Sequence, residues 1–101
     1  MRSVTVHDLK SAIDAGPILL IDVREPHEYA GGHVPGATPM PLRTVPQRVG
    51  ELPTDQIVYV VCAVGARSAQ AAGFLATRGI EAVNVDGGTG DWVAAGYPVE
   101  H

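Results

Sequence analysis

The chain has 101 residues, with 7 Lys and Arg against 11 Asp and Glu, for a formal net charge of −4 at pH 7. That balance argues against a general nucleic-acid surface or an anionic-membrane surface, both of which need a basic face, and leaves room only for a local basic site. Apolar residues make up 46% and charged residues 18%, so the chain is expected to fold as a single domain over residues 1–101, with a mainly aliphatic core because aromatics are only 5%.

Taken in order, Thr5-Val6-His7-Asp8 reads as a capping box with Asp in place of the usual Glu or Gln. Leu9, Ala12 and Ile13 follow at helical spacing, and Gly16-Pro17 ends the helix. Residues 18–21 form a continuous apolar run, the mark of a strand covered on both faces. Pro26 suits the first position of a short helix through Ala30. The stretch from Val34 to Leu42 is dense in Pro and Gly and leaves room for a short strand at 37–40, after which Pro46 opens a short helix ending at Gly50. Residues 57–61 are β-branched, bounded by Asp55 and Gly65, and predict the strongest strand. From Ser68, the spacing of Ala69, Ala72, Phe74, Leu75 and Ala76 predicts a helix closed by Gly79. Residues 82–85 predict the last strand and 91–95 a last short helix, closed by Gly96. Strands alternating with helices predict an α/β domain with a mostly parallel sheet and right-handed crossovers.

The longest apolar stretches, 17–21 and 57–64, fall well short of the ~20 residues of a membrane-spanning helix. Asp8 puts a charge where a signal peptide would be apolar, so a soluble, cytoplasmic chain is expected. His7, His27, His33 and His101 show no metal-ligand spacing, and neither a metal nor a cofactor is expected. Gly88-Thr89-Gly90 mimics a dinucleotide fingerprint, but Val93 stands where the third glycine belongs and too little chain follows for a second βαβ unit. Trp92 is expected in the core.

Chemistry concentrates in Cys62-Ala63-Val64-Gly65-Ala66-Arg67-Ser68, between the strongest strand and a helix, where open parallel sheets bind ligands. Successive amides of a tight loop can converge on one anion, and the following helix adds about half a positive charge at its N-terminus. Ala63, Gly65 and Ala66 are small enough to leave those amides accessible, and Arg67 offers a planar fork for two oxygens. A thiol held there should ionise readily. Cys62 is the only cysteine, so any redox cycle that needs a resolving thiol within the chain is excluded.

Three segments carry a resemblance to a known family. Asp22-Val23-Arg24-Glu25, Glu28-Tyr29 and Gly32-His33-Val34-Pro35-Gly36-Ala37 resemble the first half of the rhodanese homology domain. The Cys62–Ser68 loop is similar to that family's active-site loop, and Asp86-Gly87-Gly88 with Trp92 and Ala95-Gly96-Tyr97-Pro98 resembles its closing motif. The resemblance implies five parallel strands flanked by helices, and sulfur transfer through a persulfide on Cys62. Asp22, Arg24 and Glu28 then read as an ion-pair network that supports the loop.

Loop length favours the same chemistry. From Cys62 to Arg67 there are six residues, one fewer than the C-x-x-x-x-x-R cradle of cysteine phosphatases, so the loop should cup one sulfur and not a phosphoryl group. The expected donor is a small molecule such as thiosulfate, or a persulfide, with Arg67 and the amides of Ala63, Val64, Gly65, Ala66 and Ser68 holding it. The expected acceptor is a thiol, cyanide in an assay, or a partner protein, and the alternative reading is a sulfur relay that turns over little small-molecule substrate. Neither nucleic acid nor a membrane is an expected partner.

Overall fold

Short β-branched runs separated by helices leave few ways to bury both faces of a sheet, and the computed structural model, which describes residues 1–101, takes the α/β solution. Its elements are β1 Arg2–Val4, α1 Val6–Ala15, β2 Leu19–Asp22, α2 Pro26–Ala30, β3 Thr38–Pro39, α3 Val45–Arg48, β4 Val58–Val61, α4 Ala66–Ala76, β5 Ala82–Val85 and α5 Gly88–Ala94. The strands form one sheet in the order β1-β5-β4-β2-β3, and every neighbouring pair is parallel. No helix is long and apolar enough to cross a membrane.

Local chemistry explains most boundaries. The capping box at the start of α1 forms with Asp8, whose Oδ2 accepts from the Thr5 amide at 3.1 Å while Thr5 Oγ1 accepts from the Asp8 amide at 3.2 Å. Pro26 opens α2. The helix expected over 46–50 is broken up: α3 is a single turn with 3₁₀ turns at Leu42–Thr44 and Val49–Glu51 on either side. β1 has no signal of its own, because three residues at a sheet edge, two of them exposed, show no period. Its three residues pair with β5 in the register Arg2–Val83, Ser3–Asn84 and Val4–Val85.

Adjacent residues along each strand face opposite layers. Ile21, Val58, Val60 and Cys62 pack with Ala71, Ala72 and Leu75 of α4 and with Val45 and Met40. Leu20, Val61 and Val85 pack on the other face with Leu9 of α1 and Trp92 of α5. The carboxyl ends of the three adjacent strands β2, β4 and β5 therefore open at one edge of the sheet, between two layers of helices. Leu9→Ala and Leu75→Ala should each cost about 2–5 kcal/mol in urea unfolding. Because the two leucines lie on opposite faces, the double variant should lose the sum to within about 0.5 kcal/mol. A shortfall of more than about 1 kcal/mol would mean that the layers are coupled across the sheet.

Candidate active site

β4 delivers Cys62 to the edge of the sheet with its side chain turned into the α4 layer, where it is only 1% exposed. Burial alone would keep such a thiol neutral. Several hydrogen bonds act against burial. The Gly65 amide donates to Cys62 Sγ at 3.1 Å, and the Ser68 hydroxyl lies 3.2 Å from the sulfur. Burial pushes the thiol up, but the Ser68 hydroxyl and the amides of Ser68, Gly65 and Val64 together outweigh it and hold the thiol below its ordinary value. Ser68 Oγ also lies 3.1 Å from the Gly65 carbonyl, so its single proton can rest on that carbonyl beside a thiol and turn to the sulfur beside a thiolate.

The loop is glycine-dependent on both sides. Gly65, the N-cap of α4, has φ of 109°, and a Cβ there would come within 3.3 Å of the Gly87 amide nitrogen. Across from it, the turn after β5 presses directly on the loop backbone. The Thr89 amide donates to the Cys62 carbonyl at 2.8 Å and the Gly90 amide to the Ala63 carbonyl at 2.9 Å. A trans peptide is planar, so fixing those two carbonyls toward α5 turns the Ala63 and Val64 N–H groups the opposite way, into the loop. Gly88 permits this contact. Its φ is +58°, and a Cβ would stand 2.4 Å from the Cys62 carbonyl oxygen and 2.7 Å from the Ala63 carbonyl. The same contacts explain why α5 begins at Gly88, three residues before the sequence predicts: its weak first turn is held by the loop.

The charged residues form two separate pairs. Arg24 is buried and binds Asp22 through Nε at 3.0 Å and Nη2 at 2.9 Å, with Nη2 also donating to the Gly32 carbonyl. Glu28 does not join them. Its carboxylate takes both prongs of Arg67, at 2.7 and 2.9 Å, and also accepts from the Glu25 amide. The Arg67 fork expected to hold donor oxygens thus already holds a carboxylate, because α2 carries Glu28 to the loop's mouth. The Arg67 hydrogen bonds, with that of the Glu25 amide, bring Glu28 down to about 2.

Among the residues singled out from the sequence, the structure brings Cys62, Val64, Gly65 and Ser68 together at the sulfur. Ala66 begins α4, and Arg67 faces α2. Ala63 and Val64 line the wall of an open cleft of about 640 Å³ beside the loop, with Arg24 and Glu28. Sequence reading missed the roles of Gly88, Thr89 and Gly90. Their glycine pattern mimics a dinucleotide fingerprint and, through Gly88, belongs to the closing motif, but neither signal says that the turn binds the backbone of the Cys62 loop. The Ser68 hydroxyl also escapes sequence reading, which points to the amide of Ser68 and carries no signal of where its side chain turns.

Two variants test this geometry. Gly88→Ala should raise the inflection of Cys62 alkylation by iodoacetamide by about one pH unit, slowing it about ten-fold at neutral pH. Thr89→Pro removes one of the two N–H donors at a helix position that tolerates proline and should move the profile the same way. An unchanged profile in either folded variant would show that the turn does not orient the loop. Glu28→Gln tests the ion pair. Because folding lowers the Glu28 pKa from 4.5 to about 2, the pair's stabilisation is complete above 4.5 and lost as pH falls toward 2. Urea unfolding should therefore show wild type more stable than Glu28→Gln at neutral pH, with the gap closing across that window. A gap independent of pH would contradict the pairing.

Comparison with known proteins places the chain in one family. The family model for the rhodanese-like domain matches residues 5–95. A sulfurtransferase of Allochromatium vinosum is 39% identical over 87 residues, covering 85% of this chain and 81% of that protein. The thiosulfate sulfurtransferase GlpE of Pseudoalteromonas translucida is 30% identical over 93% of this chain and 90% of its own. The crystal structure of a rhodanese-related protein from Thermoplasma volcanium matches with a TM-score of 0.92 at 36% identity, over 99% of this chain and 98% of that one. Other curated relatives are longer, and the chain spans 44%, 49% and 59% of three of them. With a family model matched over residues 5–95 and relatives of this identity covered over most of their length, the chain belongs to the rhodanese family.

Proposed function

We propose that this chain is a sulfurtransferase that carries a sulfane sulfur as a persulfide on Cys62. The observation that supports this best is the set of hydrogen-bond donors gathered on one buried sulfur: the Gly65 amide at 3.1 Å and the Ser68 hydroxyl at 3.2 Å, with the Val64 and Ser68 amides beside them. Donors that stabilise a thiolate can also stabilise the persulfide anion that replaces it, as in an oxyanion hole.

In the reading we favour, the Cys62 thiolate attacks the outer sulfur of thiosulfate or of a persulfide donor. With thiosulfate, a new S–S bond forms, the bond to the sulfonate sulfur breaks, and sulfite departs with the bonding electrons. An acceptor nucleophile, cyanide in an assay or a thiol in the cytoplasm, then takes the outer sulfur and Cys62 leaves as thiolate. Neither step requires a general base when the nucleophile is already ionised. Glu28, a carboxylate at the mouth, is committed to Arg67 and held ionised, so it is not poised to protonate a leaving alcohol. That observation weighs against phosphatase chemistry, as does the six-residue span from Cys62 to Arg67.

Incubation with thiosulfate should add one sulfur to the intact mass of wild type and none to Cys62→Ser, and cyanide should return the wild-type mass to its starting value. Transfer by Cys62→Ser at a rate comparable to wild type would overturn the assignment of the nucleophile.

A further inference from the structure

One buried residue of β5 is polar where its neighbours along the strand are apolar. Asn84 stands among Ala82, Val83 and Val85, all buried, and is itself only 3% exposed. It is in register with Val60 of β4 and alternates with Val83 and Val85, so it faces the α4 layer, the side on which Cys62 also lies. Its Nδ2 donates to Asp86 Oδ1 at 3.0 Å, while its Oδ1 has no partner within the chain. An amide oxygen taken out of water without a hydrogen bond costs stability, so packing alone favours an apolar residue here. What Asn84 contributes is the bond to Asp86.

Asp86 is the root of the turn that presses on the loop. Its amide donates to the Val4 carbonyl at 2.8 Å, which ties the backbone to β1, and its carboxylate makes no hydrogen bond other than that with Asn84. Gly87 and Gly88 follow with φ of 77° and 58°, and two such glycines in succession leave the direction of the chain to whatever holds its ends. The far end is held by the Thr89 and Gly90 amides on the Cys62 and Ala63 carbonyls. The near end is held at Asp86. Gly65 packs against that end, where a Cβ would meet Asp86 Cα at 3.7 Å as well as the Gly87 amide. From inside the sheet, Asn84 thus fixes the base of the turn that touches both the start of the loop and the N-cap of α4.

We propose that Asn84 is a positioning residue for Cys62: through Asp86 it sets the glycine turn, and through the turn it aims the loop amides at the sulfur. Its own side chain makes no hydrogen bond to the loop. The inference extends the persulfide reading given above, because the amides that hold a thiolate are those proposed to hold the persulfide. It can nevertheless fail alone, since it is read on the free thiol.

The test follows Cys62 alkylation by iodoacetamide against pH in the full chain, with urea unfolding alongside. Asn84→Val breaks the link without changing any charge, so a shift of the thiol cannot come from a lost ion. Its urea midpoint should equal or exceed that of wild type. Its inflection should rise by about half a pH unit, with alkylation below the inflection about three-fold slower. Asp86→Asn keeps an acceptor for the Asn84 amide and removes a negative charge, so its inflection should stay in place or fall. Asn84→Ala takes the place of Asn84→Val if the branched side chain prevents folding. An unchanged inflection in the folded Asn84 variant would overturn the proposal, as would a rise of equal size in Asp86→Asn. Failure of both Asn84 variants to fold would also overturn it, by making the residue's role structural alone. Failure of wild type to gain a sulfur from thiosulfate would instead count against the persulfide reading, with the positioning role still judged on the inflection.

Discussion

A buried sulfur that must carry negative charge is the constraint on which the rest of this molecule depends. Placing Cys62 at 1% exposure among Ala71, Ala72 and Leu75 disfavours the thiolate, and a group in that position needs hydrogen bonds to ionise. The loop supplies them from its own backbone and from one hydroxyl. Backbone amides are well suited to this work because they are fixed by the fold and need no reorganisation when charge appears. Ser68 adds a donor that can turn with the state of the sulfur, since its oxygen is within reach of both Sγ and the Gly65 carbonyl.

Much of the surrounding architecture serves to keep those amides aimed inward. Three parallel strands end side by side, and each brings a different part: β4 the cysteine, β2 the Asp22–Arg24 pair, and β5 the glycine turn. The turn after β5 binds the backs of the peptides whose N–H groups face the loop. A carbonyl that accepts a hydrogen bond also makes the N–H of the same peptide a stronger donor, so the Thr89 and Gly90 amides reinforce the cradle as well as orient it. The charged side chains act elsewhere. Arg67 and Glu28 join the start of α4 to α2 and fasten the mouth, whereas direct contact with the sulfur is left to uncharged groups.

Much of this could be read from the sequence, for identifiable reasons. The apolar strands expected at 18–21 and 57–61, the Thr5–Asp8 capping box and the helix opened by Pro26 all follow from local patterns, and the structure contains them, with the strands at Leu19–Asp22 and Val58–Val61. Cys62, Gly65 and Arg67 are legible because their types and spacing suit a loop built around an anion. What escaped depends on contacts between distant parts of the chain. β1 is a strand because β5 lies beside it, and nothing in Arg2-Ser3-Val4 says so. Glu28 and Arg67 lie 39 residues apart, so spacing cannot reveal their pairing and points instead to the sequence neighbours Asp22 and Arg24 as partners of Glu28. The Gly88 contact is invisible for the same reason: a glycine pair announces a tight approach without naming what approaches.

The account stands or falls on whether uncharged donors, and not the nearby guanidinium, set the state of the thiol. The direct measurement is the pH dependence of ultraviolet thiolate absorbance at Cys62 in wild type, Ser68→Ala and Arg67→Ala. Wild type should ionise below the free-cysteine value of about 8.5, Ser68→Ala should move the inflection upward, and Arg67→Ala should leave it nearly in place. A wild-type inflection at or above about 8.5, or a larger shift from Arg67→Ala than from Ser68→Ala, would contradict it.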